Sequence, residues 1–294
     1  MPTPDRNVSA IALRFGDELL LFDCGEGTQR QLMRSPLSFM AIRRIFISHL
    51  HGDHYLGLAG MFLSMRMNER KAPLDVYVCP RGRARLEELL GADRVDYGFP
   101  LTIEEVEAGT MLKFPGYRML CARTDHTTSC LAWSFEEDPR PGRFDRPTAI
   151  ALGVPVGPLF GKLQRGEAVE VDGRRIVPEQ VLGPPRRGRK VVYSGDTRPC
   201  DAVIGLAQDA DVLIHEATFD LATEPLGNTY GHSSARQAGS VAAQARVHKL
   251  LLTHISGRFK DAAPLVEEAR GSFTGPVELA SDLLTLDVPL PADP

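Results

Sequence analysis

Short runs of apolar residues alternate with polar turns along the first third of the chain. The runs AIALRF and ELLLFD and the segment 42–48 are each closed by Gly, Asp or His, which is typical of β-strands. Apolar residues recur with helical spacing in QRQLM, in YLGLAGMFLSMRM and over Arg83–Leu90. This part of the chain is therefore expected to mix strands and helices.

The same alternation continues towards the carboxyl end. The segments LDVYVCP, YRMLCAR, KVVYSGDT and DVLIHEATF read as strands, and a helix is predicted after Pro199. Strands and helices that follow one another in this way predict an α/β fold.

Residues 138–190 interrupt the pattern. They contain eight prolines, with the dipeptide Gly157-Pro158 in the middle, and show little periodicity that could build a core. We therefore expect an arm inserted at about 138–190 that projects from a single domain spanning 1–294.

Composition limits the class of protein. The 294 residues are 43% hydrophobic, which is enough for a substantial core, and no apolar run approaches the length of a membrane span. The start MPTPDRN has no signal-peptide features, so we expect a soluble cytoplasmic protein without a membrane partner. The five cysteines are scattered and form no CxxC pair, which argues against disulfides and thiolate zinc sites.

Charge is distributed unevenly along the chain. Residues 138–190 hold eleven Lys and Arg against six Asp and Glu, a balance of +5, and the remainder of the chain therefore carries -9 of the total of -4. A basic segment on an acidic body is where a polyanion would bind. On charge alone, a solvated Arg-rich insertion without a partner is the alternative.

The stretch FISHLHGDHYLG, residues 46–57, carries the strongest chemical signal. Four metal-type donors, His49, His51, Asp53 and His54, occur within six residues directly after an apolar run. Folding a turn requires none of them, so the pattern indicates a metal site.

Further donors occupy matching places along the chain. His126, Asp196, the pair His215 and Glu216, and His254 each follow an apolar strand-like run. Side chains at the carboxyl ends of several strands converge on one edge of a sheet, where α/β proteins bind their ligands.

The type and number of donors suggest which metal centre they form. Imidazole and carboxylate without thiolate suit zinc or a similar divalent ion, such as manganese. Seven donors are too many for one tetrahedral ion and suit two, with Asp196 as the natural bridge. The seven are His49, His51, Asp53, His54, His126, Asp196 and His254.

These motifs resemble a known family. HxHxDH at 49–54, SGDT around Asp196, and the strand-end histidines His126 and His254 resemble the metallo-β-lactamase superfamily of dinuclear zinc hydrolases. FDCGEGTQRQL, HEATF at 215–219, GHSSARQA at 231–238, LTHISGRF at 252–259 and the Gly-Pro-bearing insertion are more closely similar to the ribonuclease Z family. That family consists of endonucleases that remove the 3′ trailer from precursor tRNA.

The resemblance covers nearly the whole chain and implies a fold and a reaction. The fold is a four-layered αβ/βα arrangement with an inserted basic arm. The reaction is zinc-dependent hydrolysis that leaves a 3′-hydroxyl on the tRNA, with two zinc ions per subunit. A homodimer is also implied, in which the arm of one subunit presents tRNA to the metals of the other.

The resemblance further implies a role for each donor. His49, His51 and His126 would bind one ion; Asp53, His54 and His254 would bind the other; and Asp196 would bridge them. Asp53 would also accept a proton, and His232 would assist the leaving 3′ oxygen. Ser234 and Gln237 form the pattern of a capping box, so His232 would lie beside a helix N-terminus that favours an anionic phosphate.

The roles of the HE pair at 215–216 stay open. Glu216 is a candidate for orienting His232 through a hydrogen bond. For His215, packing within the core without a functional role is an explanation of equal weight. We expect His248, which belongs to no motif, to be a surface residue.

One departure concerns the start of the chain. Family members usually begin with a short apolar strand, whereas this chain starts at the loop that follows it. Either the start is placed too late or the first strand of the first sheet is missing. Arg6 and Asn7 of this loop are expected to contact tRNA, and so are Arg143, Lys162 and Arg165 of the arm.

Two other functions use the same features. A small-substrate phosphodiesterase or arylsulfatase would share the metal donors, but a small ester needs no projecting arm. A metal-loaded RNA-binding module without catalysis would not need the complete donor set and His232.

Overall fold

Two β-sheets face each other through a layer of aromatic and aliphatic side chains. A computed structural model describes residues 2–91 and 95–292. Phe46 of the first sheet packs on Trp133 of the second with ring centroids 5.1 Å apart, and Phe22 packs on Tyr193 at 6.1 Å. All four rings are buried, so this layer joins the two halves of the chain.

The strands within the described residues are short and pair mainly with neighbours in sequence. Their bounds are β1 (Ile11–Phe15), β2 (Glu18–Phe22), β3 (Ile42–Phe46), β4 (Leu74–Val78), β5 (Leu101–Glu105), β6 (Met111–Phe114), β7 (Tyr117–Arg123), β8 (Leu131–Glu137), β9 (Val169–Val171), β10 (Arg174–Ile176), β11 (Lys190–Tyr193), β12 (Val212–Glu216), β13 (Leu250–Thr253) and β14 (Val277–Leu279). The first sheet has the order β1-β2-β3-β4-β5, and the second has the order β14-β13-β12-β11-β8-β7-β6.

Helices cover the outer faces of both sheets. Within the described residues their bounds are α1 (Thr28–Met33), α2 (Gly52–Tyr55), α3 (Gly57–Met67), α4 (Arg83–Leu90), α5 (Arg146–Ala151), α6 (Pro158–Gln164), α7 (Asp201–Leu206), α8 (Glu224–Thr229), α9 (Ala235–Gln244) and α10 (Ala263–Arg270). Helix α3 packs with the first sheet, and α7, α9 and α10 share a second buried cluster with the other sheet. The predicted four-layered αβ/βα fold is confirmed.

The direction of the strands brings their carboxyl ends to one edge. Strands β11, β12 and β13 are parallel, and β7 runs with them because β8 is antiparallel to both β7 and β11. In the first sheet, β3 is parallel to β2 and β4. The residues that follow β3, β7, β11 and β13 therefore meet at one edge of the sandwich.

The expectation that residues 138–190 lack the means to build a core is wrong. They form α5, α6 and the hairpin β9–β10, which enclose a separate small cluster of buried residues. That cluster consists of Ala149, Val154, Leu163, Val169, Ile176 and Val181. The backbones of Arg140 and Arg186 hydrogen-bond to each other at 2.8 and 2.9 Å and close the base of this arm.

Within the described residues, no helix is long and apolar enough to cross a membrane.

Candidate metal centre

Three imidazole rings meet at the edge where β3 and β7 end. Nε2 of His49 lies 3.0 Å from Nδ1 of His51, and Nε2 of His126 lies 3.2 Å from the same atom. Lone pairs of neutral ring nitrogens face one another unfavourably at such distances unless a proton or a cation lies between them. The convergence therefore suits a metal ion, for which imidazole is a common ligand.

A second group of donors comes from α2 and the end of β13. Nε2 of His254 lies 3.5 Å from a carboxylate oxygen of Asp53, and the rings of His54 and His254 are stacked with centroids 5.2 Å apart. Ligand atoms of the three residues all lie within 4.8 Å of one another. His254 has a φ of 54°, a left-handed conformation that is uncommon outside glycine and is often found at functional sites.

Asp196 lies between the two groups. Its Oδ2 is 3.5, 3.3 and 3.6 Å from Nε2 of His49, His54 and His254. Within the described residues, Oδ1 of Asp196 and Nε2 of His54 are buried without a hydrogen-bond partner. Buried polar atoms normally have partners, so this arrangement fits ligation of divalent ions. The donor set as a whole fits the binding of divalent metal.

Outer hydrogen bonds decide which ring nitrogen faces the centre on the side of the first sheet. A carboxylate oxygen of Asp23 accepts from the Ser48 hydroxyl at 2.8 Å and from Nδ1 of His54 at 2.7 Å. Because the Ser48 hydroxyl has one proton, its oxygen accepts from Nδ1 of His49 at 3.0 Å. In the neutral form of each ring these contacts leave Nε2 unprotonated, as metal binding requires.

The second sheet fixes the other two rings in the same way. Nδ1 of His126 donates to the carbonyl oxygen of Gly231 at 2.7 Å. The hydroxyl of Thr218 donates to Glu216 at 2.6 Å, so its oxygen accepts from Nδ1 of His254 at 2.8 Å. Both rings again present Nε2 to the centre.

The protonation states follow from burial and from neighbouring charge. Burial lowers the pKa of His49, His51 and His126, and neighbouring histidines lower it further, which favours neutral rings. Burial alone would raise the pKa of Asp196, but His254 and the other rings around it outweigh this effect and hold that pKa well below its usual range. These three rings are therefore neutral and Asp196 is charged. Burial alone would lower the pKa of His54, but the carboxylates of Asp196 and Asp23 outweigh this effect and raise it.

His232 lies beside the donors and is held by a buried acid. Its Nδ1 donates to Oε1 of Glu216 at 2.9 Å, the contact for which the sequence made Glu216 a candidate. Burial lowers the pKa of His232, but the hydrogen bond and the charge of Glu216 outweigh it, so the pKa is raised. The predicted capping box is present: Ser234 accepts from the backbone of Gln237 at 3.1 Å, and Gln237 accepts from the backbone of Ser234 at 3.0 Å.

Two other histidines, His215 and His248, do not lie among the donors. His215 is fully buried, and its Nδ1 donates to the carbonyl oxygen of Glu216 at 2.7 Å, so it packs within β12. His248 is exposed, as expected.

The residues expected to contact tRNA lie outside the donor cluster. Arg6 donates to the carbonyl oxygen of Phe259 at 3.3 Å, and the backbone of Asn7 donates to Asp282 at 3.1 Å. The other three belong to the arm and are exposed: Arg143, Lys162 and Arg165.

Asp23 and Thr218 are important residues that sequence reasoning missed. Asp23 accepts hydrogen bonds from the Ser48 backbone and hydroxyl, from His54 and from the Tyr193 hydroxyl. Both residues stand inside motifs, FDCGEG and HEATF. The available signal for Asp23 was an acid directly after the apolar run of β2, next to a turn.

Comparison with known proteins agrees with this geometry. Residues 5–135 match the family model described as anti-Pycsar protein Apyc1, and residues 176–255 match the beta-lactamase superfamily domain. A ribonuclease Z of Methanothermobacter thermautotrophicus is 47% identical over 289 residues, which cover 98% of this chain and 93% of that protein. This chain belongs to the ribonuclease Z family.

Other members and solved structures of the ribonuclease Z family support this assignment. A ribonuclease Z of Myxococcus xanthus is 43% identical and covers 98% of this chain and 94% of its own length. The crystal structure of the short form of human tRNase Z has a TM-score of 0.69 and 25% identity, covering 98% of this chain and 95% of that one. The metallo-β-lactamase fold protein YhfI of Bacillus subtilis also has a TM-score of 0.69 at 20% identity, covering 96% and 92%, and supports the fold.

Asp23 offers a test of the outer hydrogen bonds. Asp23→Asn keeps the shape of the side chain but replaces one of its two acceptor oxygens with an NH₂ group, so it can no longer accept all the hydrogen bonds of Ser48, His54 and Tyr193 that orient His54. We expect the affinity for the ion near His54 to fall about 10- to 100-fold. Chelator competition followed by elemental analysis measures this change.

The matched control is Asp17→Ala, which removes an exposed acid from the turn between β1 and β2. Equal metal retention by Asp23→Asn and wild type, with both proteins folded by circular dichroism, would contradict this role for Asp23.

Proposed function

We propose that this chain is a zinc-dependent endoribonuclease that removes the 3′ trailer from precursor tRNA and leaves a 3′-hydroxyl on the tRNA. The observation that carries the proposal is the pair of donor groups joined by buried Asp196, with His232 beside them. Relatives named ribonuclease Z that match over nearly the full chain support the substrate. A cytoplasmic location is part of the proposal.

In this proposal the donors divide between two ions. His49, His51 and His126 would hold one, Asp53, His54 and His254 would hold the other, and Asp196 would contribute to both. Ions held there would lower the pKa of bound water to about 7 and would stabilise negative charge on the reacting phosphate. Asp53 would accept the proton of the attacking water.

His232 acts on the leaving group in this proposal. Because Nδ1 donates to Glu216, Nε2 is the nitrogen that exchanges a proton with the substrate. His232 protonates the 3′ oxygen as the bond from that oxygen to phosphorus breaks, so the tRNA departs with a hydroxyl and the trailer keeps the phosphate. Glu216 holds the ring in place through its other contacts, to the backbone of Thr197 at 2.8 Å and to Thr218.

Substrate binding involves the arm. Lys162 and Arg165 lie on and directly after α6, exposed on the basic insertion, and Arg143 lies near its base. Phosphate contacts by such residues give salt-dependent affinity that is independent of sequence. The protein acts as a homodimer in which the arm of each subunit holds tRNA bound at its partner.

The product of cleavage tests the reaction. A precursor tRNA with a defined trailer is expected to give a tRNA with a 3′-hydroxyl and a trailer with a 5′-phosphate, identified by mass spectrometry. His232→Ala should keep its metal and slow single-turnover cleavage about 10²- to 10⁴-fold, because a general acid is lost. The control is His248→Ala, an exposed histidine away from the centre.

A tRNA product ending in a 2′,3′-cyclic phosphate would contradict the proposed attack by water. Full activity of His232→Ala would contradict the role given to His232.

Removal of the arm tests substrate choice. Residues 143–185 can be replaced by a short Gly/Ser linker because the backbone pair of Arg140 and Arg186 already joins the two ends. We expect metal content and hydrolysis of a small aryl phosphodiester to persist, whereas cleavage of precursor tRNA falls severely and residual tRNA binding responds less to salt. Measurements are steady-state kinetics and binding at several salt concentrations.

The matched variants are Lys162→Gln with Arg165→Gln in the arm, and Arg246→Gln, which removes an exposed charge from the body. A folded, metal-loaded protein without the arm that processes precursor tRNA like wild type would show that the arm is passive.

A further inference from the structure

Helix α8 presents an apolar face next to the metal centre. Its Gly227 is buried against Phe219, because a Cβ at this position would lie 2.7 Å from the Phe219 ring. Leu226 and Tyr230, four residues apart on the helix and its cap, are exposed. One side of α8 is therefore fixed to the body, and the other offers apolar surface to solvent.

Tyr230 is unusual among the exposed apolar side chains. In the part of the chain that the structure describes, it is the only aromatic residue among the exposed large hydrophobic ones, with 57% of its surface accessible. Within the same residues, its ring makes no aromatic contact and its hydroxyl makes no hydrogen bond. Tyrosine elsewhere in the protein is buried, so packing does not account for this one.

The backbone around Tyr230 is tied directly to the proposed catalytic groups. The next residue, Gly231, holds His126 through its carbonyl oxygen at 2.7 Å, and the following amide, that of His232, donates to Gly227 at 3.0 Å. Successive Cα atoms are 3.8 Å apart, so the Cα atoms of Tyr230 and His232 are at most about 7.6 Å apart. The backbone of Tyr230 is thus fixed close to the proposed catalytic groups.

The charge of α8 itself is compensated, although the acids Asp220 and Glu268 lie beside the loop before it. Among the described residues, the one carboxylate of the helix, Glu224, is paired with the guanidinium of Arg236 through contacts of 2.5 and 3.0 Å. It also accepts from the Ser234 hydroxyl at 2.5 Å. The helix therefore brings no uncompensated negative charge to an RNA backbone that passes it.

We propose that Tyr230 is a stacking platform for the base of the last nucleotide that stays with the tRNA. This inference rests on the proposed function, in which His232 serves the 3′ oxygen of that same nucleotide. Bases of single-stranded RNA stack on exposed aromatic rings whatever their sequence, and loss of such a ring weakens binding substantially. Tyr230 then helps to position the scissile phosphate of an RNA, a contact that a small ester cannot make.

The experiment pairs protein variants with modified substrates. Tyr230→Ala, Tyr230→Phe and Tyr230→Trp are each compared with wild type on precursor tRNA, and Met67→Ala serves as a control because Met67 is exposed at the end of α3. Three substrates are used: intact precursor, precursor with an abasic last retained nucleotide, and precursor with an abasic first trailer nucleotide. Metal content and oligomeric state are measured for every variant.

Stacking predicts a specific pattern. Tyr230→Ala should lower kcat/KM for the intact precursor about tenfold or more, and Phe and Trp should restore it because they keep a ring. On the substrate abasic at the last retained nucleotide, wild type and Tyr230→Ala should be equal, since the base that Tyr230 contacts is gone. The substrate abasic in the trailer should show the full effect of the substitution.

The other possible results contradict either the stacking by Tyr230, its assignment to the retained nucleotide, or the proposed function. An equal loss on all three substrates, or a change from dimer to monomer, would show that Tyr230 does not act through a base. If wild type and Tyr230→Ala were equal only on the substrate that is abasic in the trailer, the assignment to the retained nucleotide would be wrong. Wild type that cleaves no precursor tRNA would overturn the proposed function itself, whereas active wild type matched by Tyr230→Ala overturns this inference alone.

Discussion

The structure depends on a buried carboxylate at the junction of its two sheets. Asp196 is 2% exposed and lies within 4 Å of nitrogens from four histidines. An isolated charge at such a depth is costly, and neutral imidazoles alone do not compensate it. The surrounding donors can bind cations, whose positive charge would compensate the charge of Asp196. Each sheet contributes strand ends to this arrangement, so the layer of aromatic residues between the sheets also determines the geometry of the centre.

Hydrogen bonds outside the donors give the arrangement its precision. Asp23 from the first sheet and Thr218 from the second each hold an Nδ1 atom, directly or through a hydroxyl, so that Nε2 faces inwards. Glu216 connects this outer layer with His232. The groups proposed for metal binding and for leaving-group protonation are therefore parts of one network.

Much of this could be predicted from sequence because strands and donors follow simple periods. Apolar runs identified β3, β7, β11 and β13, and their shared direction explains why the donors after them converge. The arm was misjudged because its core uses few, widely spaced apolar residues such as Val154 and Leu163 between prolines and glycines, which leaves no periodic signal. Asp23 was missed because its role arises only when Ser48 and His54, 25 and 31 residues away, fold against it.

The central claim is that two divalent ions share Asp196. Anomalous X-ray scattering from crystals of zinc-loaded protein, recorded on both sides of the zinc absorption edge, tests it most directly. The account predicts two peaks about 3.5–4 Å apart, one beside His49, His51 and His126 and the other beside Asp53, His54 and His254, with Asp196 bound to both. A single peak, or two peaks of which Asp196 contacts only one, would contradict it.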